Sequence, residues 1–203
     1  MTLMASKARS VQRQPVTEEA AGDGAKLAPT QTDFQRDSGE GRGAVFEGNK
    51  IMTDWKAGIE EALKDFVAVA SLARAPVGPE DHQVEYLEAP HTPPRHLPAG
   101  KIAVYGFWHD GEWLKIGMAG PKSNARYTSH HYNPNSAGST LAASLVADPR
   151  MSGWPGFNPS APGGWIKSAT NRVNILLDSR HGMLLAALLE SYLHVRLKPR
   201  YEK

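Results

Sequence analysis

Apolar and polar residues alternate most regularly in the second half of the chain, in two short runs that flank an Asp-Gly pair. Residues 102–108 and 112–118 are rich in β-branched and aromatic side chains, and Asp110 and Gly111 lie between them. Asp-Gly between two alternating runs is a strong signal for a β-hairpin. The pattern therefore predicts an antiparallel hairpin at the centre of the fold.

The hydrophobic pattern also favours one register for this hairpin. A three-residue loop over residues 109–111 opposes Val104 to Ile116 and Tyr105 to Lys115, whereas a two-residue loop mixes apolar and polar faces. We therefore expect Tyr105 and Lys115 to be cross-strand neighbours on a face that is not core. The predicted core face carries Ile102, Val104, Leu114 and Ile116. The other face carries Ala103, Tyr105, Phe107, Trp113, Lys115 and Gly117.

Helical periodicity predicts two long helices, one near each end of the part of the chain that is expected to be ordered. Residues 53–73 carry an apolar stripe at helical spacing, and Thr53 or Asp54 can cap the first turn. Residues 182–197 form a final helix with a broad apolar arc, and Glu190 lies outside that arc. The stripe of the first helix comprises Trp55, Ile59, Ala62, Leu63, Phe66, Val67 and Ala70.

Shorter elements fill the region between the hairpin and the final helix. Ser123 and Ser139 are suitable N-caps for two short helices, and residues 172–177 read as a third strand. Residues 148–164 are rich in Pro, Gly and Asn and are long for a connection, so they form either a substrate-facing loop or a plain surface insertion. The fold class is α+β, with a small antiparallel three-stranded sheet flanked by helices.

The first half of the chain contains less structure. Residues 1–50 are polar without period and are predicted to be a disordered tail. Residues 51–75 hold the supporting helix, and residues 76–100 form a proline-rich linker with a short helical turn near residues 81–87. Residues 101–203 then form the main domain.

The composition of the chain excludes several kinds of functional site. The chain has 203 residues, a net charge of +2 and no cysteine, which excludes disulfides, thiolate zinc sites and cysteine nucleophiles. We expect no membrane span and no secretory signal, because no apolar run is long enough, and a cytoplasmic location fits this composition. The oligomeric state is left open.

Four side chains of different chemistry are predicted to converge beside the hairpin. They are the phenol of Tyr105, the ammonium of Lys115, the guanidinium of Arg126 and the imidazole of His130, the last two being i,i+4 on the helix after Ser123. Such a set suits a phosphodiester. Five neighbours are candidate contacts to nucleic acid through phosphate bonds or base stacking, namely Lys122, Tyr127, His131, Tyr132 and Asn133.

Over residues 101–201 the order of these residues resembles the GIY-YIG nuclease superfamily. Val104-Tyr105-Gly106 stands at the first motif and Lys115-Ile116-Gly117 at the second, where restriction-enzyme-like members also depart from tyrosine. Arg126, His130 and Glu190 stand where the family keeps an arginine, a histidine or tyrosine, and a glutamate. The first motif departs from Gly-Ile-Tyr, and the family's later asparagine has no secure counterpart.

The resemblance implies phosphodiester hydrolysis with one Mg²⁺ or Mn²⁺ ion, on DNA ahead of RNA. Glu190 is then the metal ligand, Arg126 clamps a phosphate oxygen, and Tyr105 helps to deprotonate water if its pKa is lowered. Lys115 positions water or stabilises phosphate, and His130 orients the water. This hypothesis requires all these groups to share one pocket, and a phenol enclosed in the core counts against it.

Two hypotheses of other classes stay open. One is a catalytically inactive nucleic-acid-binding module of the same fold, which the modified motifs and the modest net charge support. The other is a protein-interaction adaptor that uses the N-terminal tail and the helix over residues 53–73.

Overall fold

A computed structural model describes residues 54–75 and 77–202, so the predicted disordered tail lies outside the described residues. The α+β class is confirmed, but the sheet has four strands rather than the three predicted. In chain order the elements are α1 (Trp55–Leu72), β1 (His82–Leu87), β2 (Lys101–His109), β3 (Glu112–Ala119), α2 (Asn124–Thr128), α3 (Leu141–Ala147), α4 (Pro162–Ala169), β4 (Asn171–Asp178) and α5 (Gly182–Leu197).

The sheet is antiparallel throughout and its strand order is β1-β4-β2-β3. Strand β1 is the unpredicted member, and it lies within the range expected to be a linker with a helical turn. That helical prediction is wrong, because only Pro79–Asp81 forms a 3₁₀ turn before the strand begins. Strand β1 pairs along its whole length with β4. Since β4 begins at Asn171, the two strands are far apart in the sequence.

The hairpin of β2 and β3 exists, but its predicted register is wrong. The loop contains two residues, Asp110 and Gly111, and both have positive φ (44° and 86°), as a type I′ turn requires. A β-bulge follows, since Trp108 pairs with Trp113 whereas Phe107 pairs with Lys115. Tyr105 therefore faces Gly117 across the strands and not Lys115.

The bulge also exchanges two side chains between the faces of the sheet. Trp113 packs with α1 and α5 on one face, and Leu114 packs with the core on the other, the reverse of the prediction. Both faces are covered, because helices α3 and α4 bury the face that carries Tyr105 and Phe107. The expectation that this face is not core is therefore wrong.

The two long helices form where the periodicity predicts them. Helix α1 begins after Asp54, whose carboxylate accepts from the backbone N–H groups of Lys56 and Ala57. Helix α5 spans the predicted range and packs against β2, β3 and α1. No helix within residues 54–75 and 77–202 is both long and apolar enough to cross a lipid bilayer.

The chain after α5 returns to the sheet. The backbone N–H groups of Arg200 and Tyr201 donate to the carbonyls of Trp113 and Leu114, so this tail lies along the β3 edge. The range predicted as a loop, 148–164, includes a 3₁₀ turn and the start of α4. Its aromatic residues Trp154 and Phe157 pack against the core of the domain.

Candidate functional site

A cleft of about 450 Å³ opens beside helix α2, between that helix and the segment that precedes α3. Arg126 projects from α2 and is exposed, and His130 follows in a short 3₁₀ turn. The two residues were predicted to share one helix face, but α2 ends at Thr128, so the turn brings His130 to the cleft. The wall is completed by Lys122, Ser123, Ala125, His131, Ala137, Gly138 and Ser139.

This wall is cationic. Within residues 54–75 and 77–202, no carboxylate lies within 4.0 Å of the charged nitrogens of Lys122 or Arg126, so both charges remain available to a ligand. The serine hydroxyls of the wall add neutral hydrogen-bonding groups. Oxyanions such as phosphate suit a surface of this kind.

Tyr105 lies below the cleft and is only 1% exposed. Its ring packs in the core beside Phe107, and its hydroxyl is 2.7 Å from Nε2 of His131. Burial raises the pKa of the phenol well above its ordinary value, and the nearby charges of Arg126 and Arg172 offset only part of this. The predicted role of Tyr105 in deprotonating water requires a lowered pKa, and burial of the phenol acts in the opposite direction.

Lys115 is buried and its ammonium group is paired. Its Nζ atom lies 2.8 Å from Oε1 of Glu202 and 3.3 Å from Oγ of Ser139, on the rim of the cleft. The carboxylate of Glu202 was not foreseen, because it belongs to the tail that follows α5 and reaches Lys115 only after that tail joins β3. The predicted pairing of Lys115 with Tyr105 is replaced by this ion pair.

Glu190 projects from α5 and is half-buried. Desolvation raises the pKa of its carboxyl group, and the nearby positive groups of His194 and Arg126 act against that rise. The charge of Arg126 also lowers the pKa of the Tyr105 phenol. Tyr105, Arg126 and Glu190 therefore lie within electrostatic reach of one another. The structure therefore brings a residue of the distant C-terminal helix to the region predicted from sequence.

The donor set around Glu190 is compatible with Mg²⁺ but sparse. Within the described part of the chain, no three His, Asp or Glu side chains are grouped closely enough to hold a metal ion. Mg²⁺ is commonly bound through one or two carboxylates, with waters and substrate phosphate as its other ligands. A single carboxylate within electrostatic reach of Arg126 fits that mode, and it does not fit a closed site made of protein ligands alone.

The five predicted nucleic-acid contacts divide into three groups by exposure. Lys122 and Asn133 are exposed, and Lys122 lines the cleft. Tyr127 and His131 are 1% and 2% exposed, which leaves little of either side chain open to nucleic acid, although His131 lies in the wall of the cleft. Tyr132 is partly buried, and its hydroxyl binds His91 and Arg172 instead.

Sequence reasoning missed Arg172, which is completely buried under the site. Its guanidinium lies 5.1–5.2 Å from the ring centroids of Tyr105, Phe107 and Tyr127. It donates to the carbonyl of Tyr127 at 2.6 Å and to Oδ1 of Asn174 at 2.8 Å. A charged residue at an inward position of a strand was the only signal in the sequence.

No protein-family model matches this sequence, and no curated protein or solved structure matches it either. The family resemblance therefore depends only on the order and placement of the residues described above.

Proposed function

We propose that this protein is a divalent-metal-dependent endonuclease of the GIY-YIG type, which hydrolyses phosphodiester bonds. DNA is favoured over RNA as its substrate. The observation that carries the proposal is a cationic cleft lined by Arg126 and His130, with the carboxylate of Glu190 within electrostatic reach of Arg126. Glu190 comes from a helix far along the chain, so its electrostatic proximity to Arg126 does not follow from local sequence.

The chemistry of each group supports this function. The Arg126 guanidinium offers two parallel N–H donors to a phosphate, and Lys122 adds a second positive charge at the same wall. Glu190 is the residue that would hold Mg²⁺ or Mn²⁺. When bound, the metal would offset the negative charge that builds on the phosphate and the leaving oxygen. His130 lies at the cleft, where it can orient a water molecule.

A second candidate is a nucleic-acid-binding module without catalytic activity. Two observations favour it: Tyr105 is enclosed in the core, and the ammonium of Lys115 is already paired with Glu202. A protein of this kind would use the cationic wall for phosphate contacts alone. Its binding would weaken at higher salt, as binding through phosphates does.

The two candidates separate in one experiment on supercoiled plasmid with Mg²⁺ or Mn²⁺. Arg126→Ala is compared with Arg150→Ala, whose guanidinium is exposed and already paired with Asp148 away from the cleft. A nuclease nicks the plasmid, loses that activity in Arg126→Ala and keeps it in Arg150→Ala. Binding without nicking by the unaltered protein supports the inactive module, and equal nicking by both variants contradicts the role given to Arg126.

A further inference from the structure

The helix that carries Arg126 is too short to hold its own position. Helix α2 spans only Asn124–Thr128, and the side chain of its N-cap residue, Ser123, forms no capping hydrogen bond. Helices shorter than about 12 residues are marginal in water on their own, because few backbone groups find partners within them. The orientation of Arg126 therefore depends on contacts between α2 and the rest of the domain.

Two side chains of the sheet hold α2 at Tyr127, the residue that follows Arg126. Nη2 of Arg172, on strand β4, donates to the Tyr127 carbonyl at 2.6 Å. The hydroxyl of Tyr127 donates to Oε2 of Glu85, on strand β1, at 3.3 Å. Tyr127 is thus fixed both at its backbone and at the end of its side chain.

Asn174 joins these two contacts into one closed network. Nε of Arg172 donates to Oδ1 of Asn174 at 2.8 Å, and Nδ2 of Asn174 donates to Oε2 of Glu85 at 3.2 Å. Because an Arg N–H can only donate, the amide oxygen must face Arg172, which leaves the amide nitrogen for the carboxylate. Both groups that contact Tyr127 are therefore held in place by the same buried amide.

The guanidinium of Arg172 also reaches the second part of the cleft wall. Its Nη1 atom donates to the hydroxyl of Tyr132 at 3.1 Å, and Tyr132 ends the 3₁₀ turn that begins at His130. Arg172 thus links the helix that carries Arg126 to the turn that carries His130, and it ties both to β4. The planar fork of an arginine can make such contacts in several fixed directions at once, whereas the single ammonium group of a lysine cannot.

Arg172 carries a charge that is expensive to bury. Among the residues that the structure describes, no carboxylate lies within 4.0 Å of its charged nitrogens, and its side chain is completely buried. An apolar side chain would fill this position without the cost of desolvating a charge. The hydrogen bonds to the cleft wall are what an apolar side chain could not supply.

We propose that Arg172 is a positioning residue that sets the places of α2 and the following turn, and thereby directs Arg126 and His130 at the phosphodiester in the cleft. This inference rests on the proposed function for the identity of the ligand. Arg172 is completely buried and so does not touch the ligand itself. Its replacement should displace the wall without removing any group that contacts phosphate.

Hydrogen exchange of the full chain, followed by mass spectrometry, tests the anchoring without any assay of activity. In Arg172→Lys the amides of residues 126–133 should exchange about tenfold faster relative to those of strand β2, the equivalent of one or two lost hydrogen bonds. Ile59→Ala is the matched control, because it empties a buried site on the other face of the sheet and should leave that ratio unchanged. An unchanged ratio in Arg172→Lys overturns the inference.

Nicking kinetics test whether this anchoring matters for the reaction. Misplacing a catalytic group by about 1 Å can cost about a hundredfold, so Arg172→Lys should lower kcat by about 10- to 100-fold. Ile59→Ala should keep its kcat at a temperature where both variants are folded. In the Arg126→Ala background the change of Arg172 to Lys should cost no more than about threefold, because Arg172 acts through the groups of the wall.

Full activity in Arg172→Lys, or losses that multiply in the double variant, contradict the inference. Circular dichroism and urea midpoints establish that each variant is folded. If Arg172→Lys does not fold, Tyr132→Phe removes one of the contacts alone; exchange at residues 130–133 should then rise, and the absence of a rise counts against the anchoring. An unaltered protein that nicks no substrate refutes the proposed function, whereas hydrogen exchange still decides whether Arg172 holds the wall.

Discussion

Gly117 lies directly below the hydroxyl of Tyr105, and replacing it with alanine is the sharpest test of this packing. A Cβ atom built at Gly117 lies 2.8 Å from the phenolic oxygen and 3.0 Å from Cε2 and Cζ. The ring has little room to retreat, since Phe107 and His131 pack against it and Arg172 lies 5.2 Å from its centroid. Either the strand or the ring must shift.

The expected cost of Gly117→Ala is about 2 kcal/mol of unfolding free energy, within the usual range for overpacking a buried site. With a urea m value of about 2 kcal/mol/M, the midpoint of denaturation falls by about 1 M. Gly58→Ala is the matched control, because its Cβ meets no atom within 4 Å in helix α1 and should stabilise by about 0.5–1 kcal/mol.

The double variant Gly117→Ala with Tyr105→Phe refines this test. Removing the phenolic oxygen eliminates the closest contact, so part of the loss caused by the alanine should be recovered in that background. Two ring carbons at 3.0 Å remain, so recovery should be incomplete. A Gly117→Ala protein as stable as the unaltered one would refute the close packing of this phenol on β3.

Three further predictions concern buried polar and titratable side chains. Arg172→Leu should destabilise by roughly 3 kcal/mol in urea, because several polar partners lose their donor, whereas exposed Arg150→Leu should change little; equal effects would contradict this. His131 takes up a proton in the unfolded chain below about pH 6.5 but in the fold only near 3, so stability should fall as pH is lowered through that window. His131→Gln should flatten this slope, and an unchanged slope would contradict the assignment. Glu202→Gln should cost about 2 kcal/mol in the same urea assay, since it leaves Lys115 buried without its countercharge, and a neutral effect would contradict that pairing.

Sequence periodicity predicted helix α1 because that helix buries one continuous stripe. Residues such as Ile59 and Phe66 repeat at helical spacing, and a single helix face is enough to explain them. Strand β4 was also predictable, since a run of branched residues is typical of a strand buried on both faces.

Strand β1 and the hairpin register were not predictable by the same reasoning. Strand β1 lies between prolines and is stabilised by its ladder with β4, a partner that local pattern does not reveal. The register depends on a bulge at Leu114. This extra residue allows a two-residue turn while the apolar residues farther along both strands still share the same faces of the sheet. Alternation of side chains favours the longer loop unless a bulge interrupts the ladder.

In the candidate site, too, local sequence pattern predicts some features and long-range packing determines the others. Arg126 and His130 reach the predicted cleft because both follow shortly after the hairpin. The pairing of Lys115 with Glu202 depends on how the tail after α5 returns to β3, and the environment of Tyr105 depends on helices that cover the sheet. Residue type suggested the chemistry of the site, whereas long-range packing decides which groups are free to perform it.

Cleavage of supercoiled plasmid by the unaltered protein and by Glu190→Gln, with Mg²⁺ or Mn²⁺ and with a chelator, tests the central claim most directly. The proposed function predicts nicked product that requires both the metal ion and Glu190, while binding of DNA by Glu190→Gln persists through the cationic wall. Equal nicking by the two proteins, or no nicking by the unaltered protein with either metal, would contradict it.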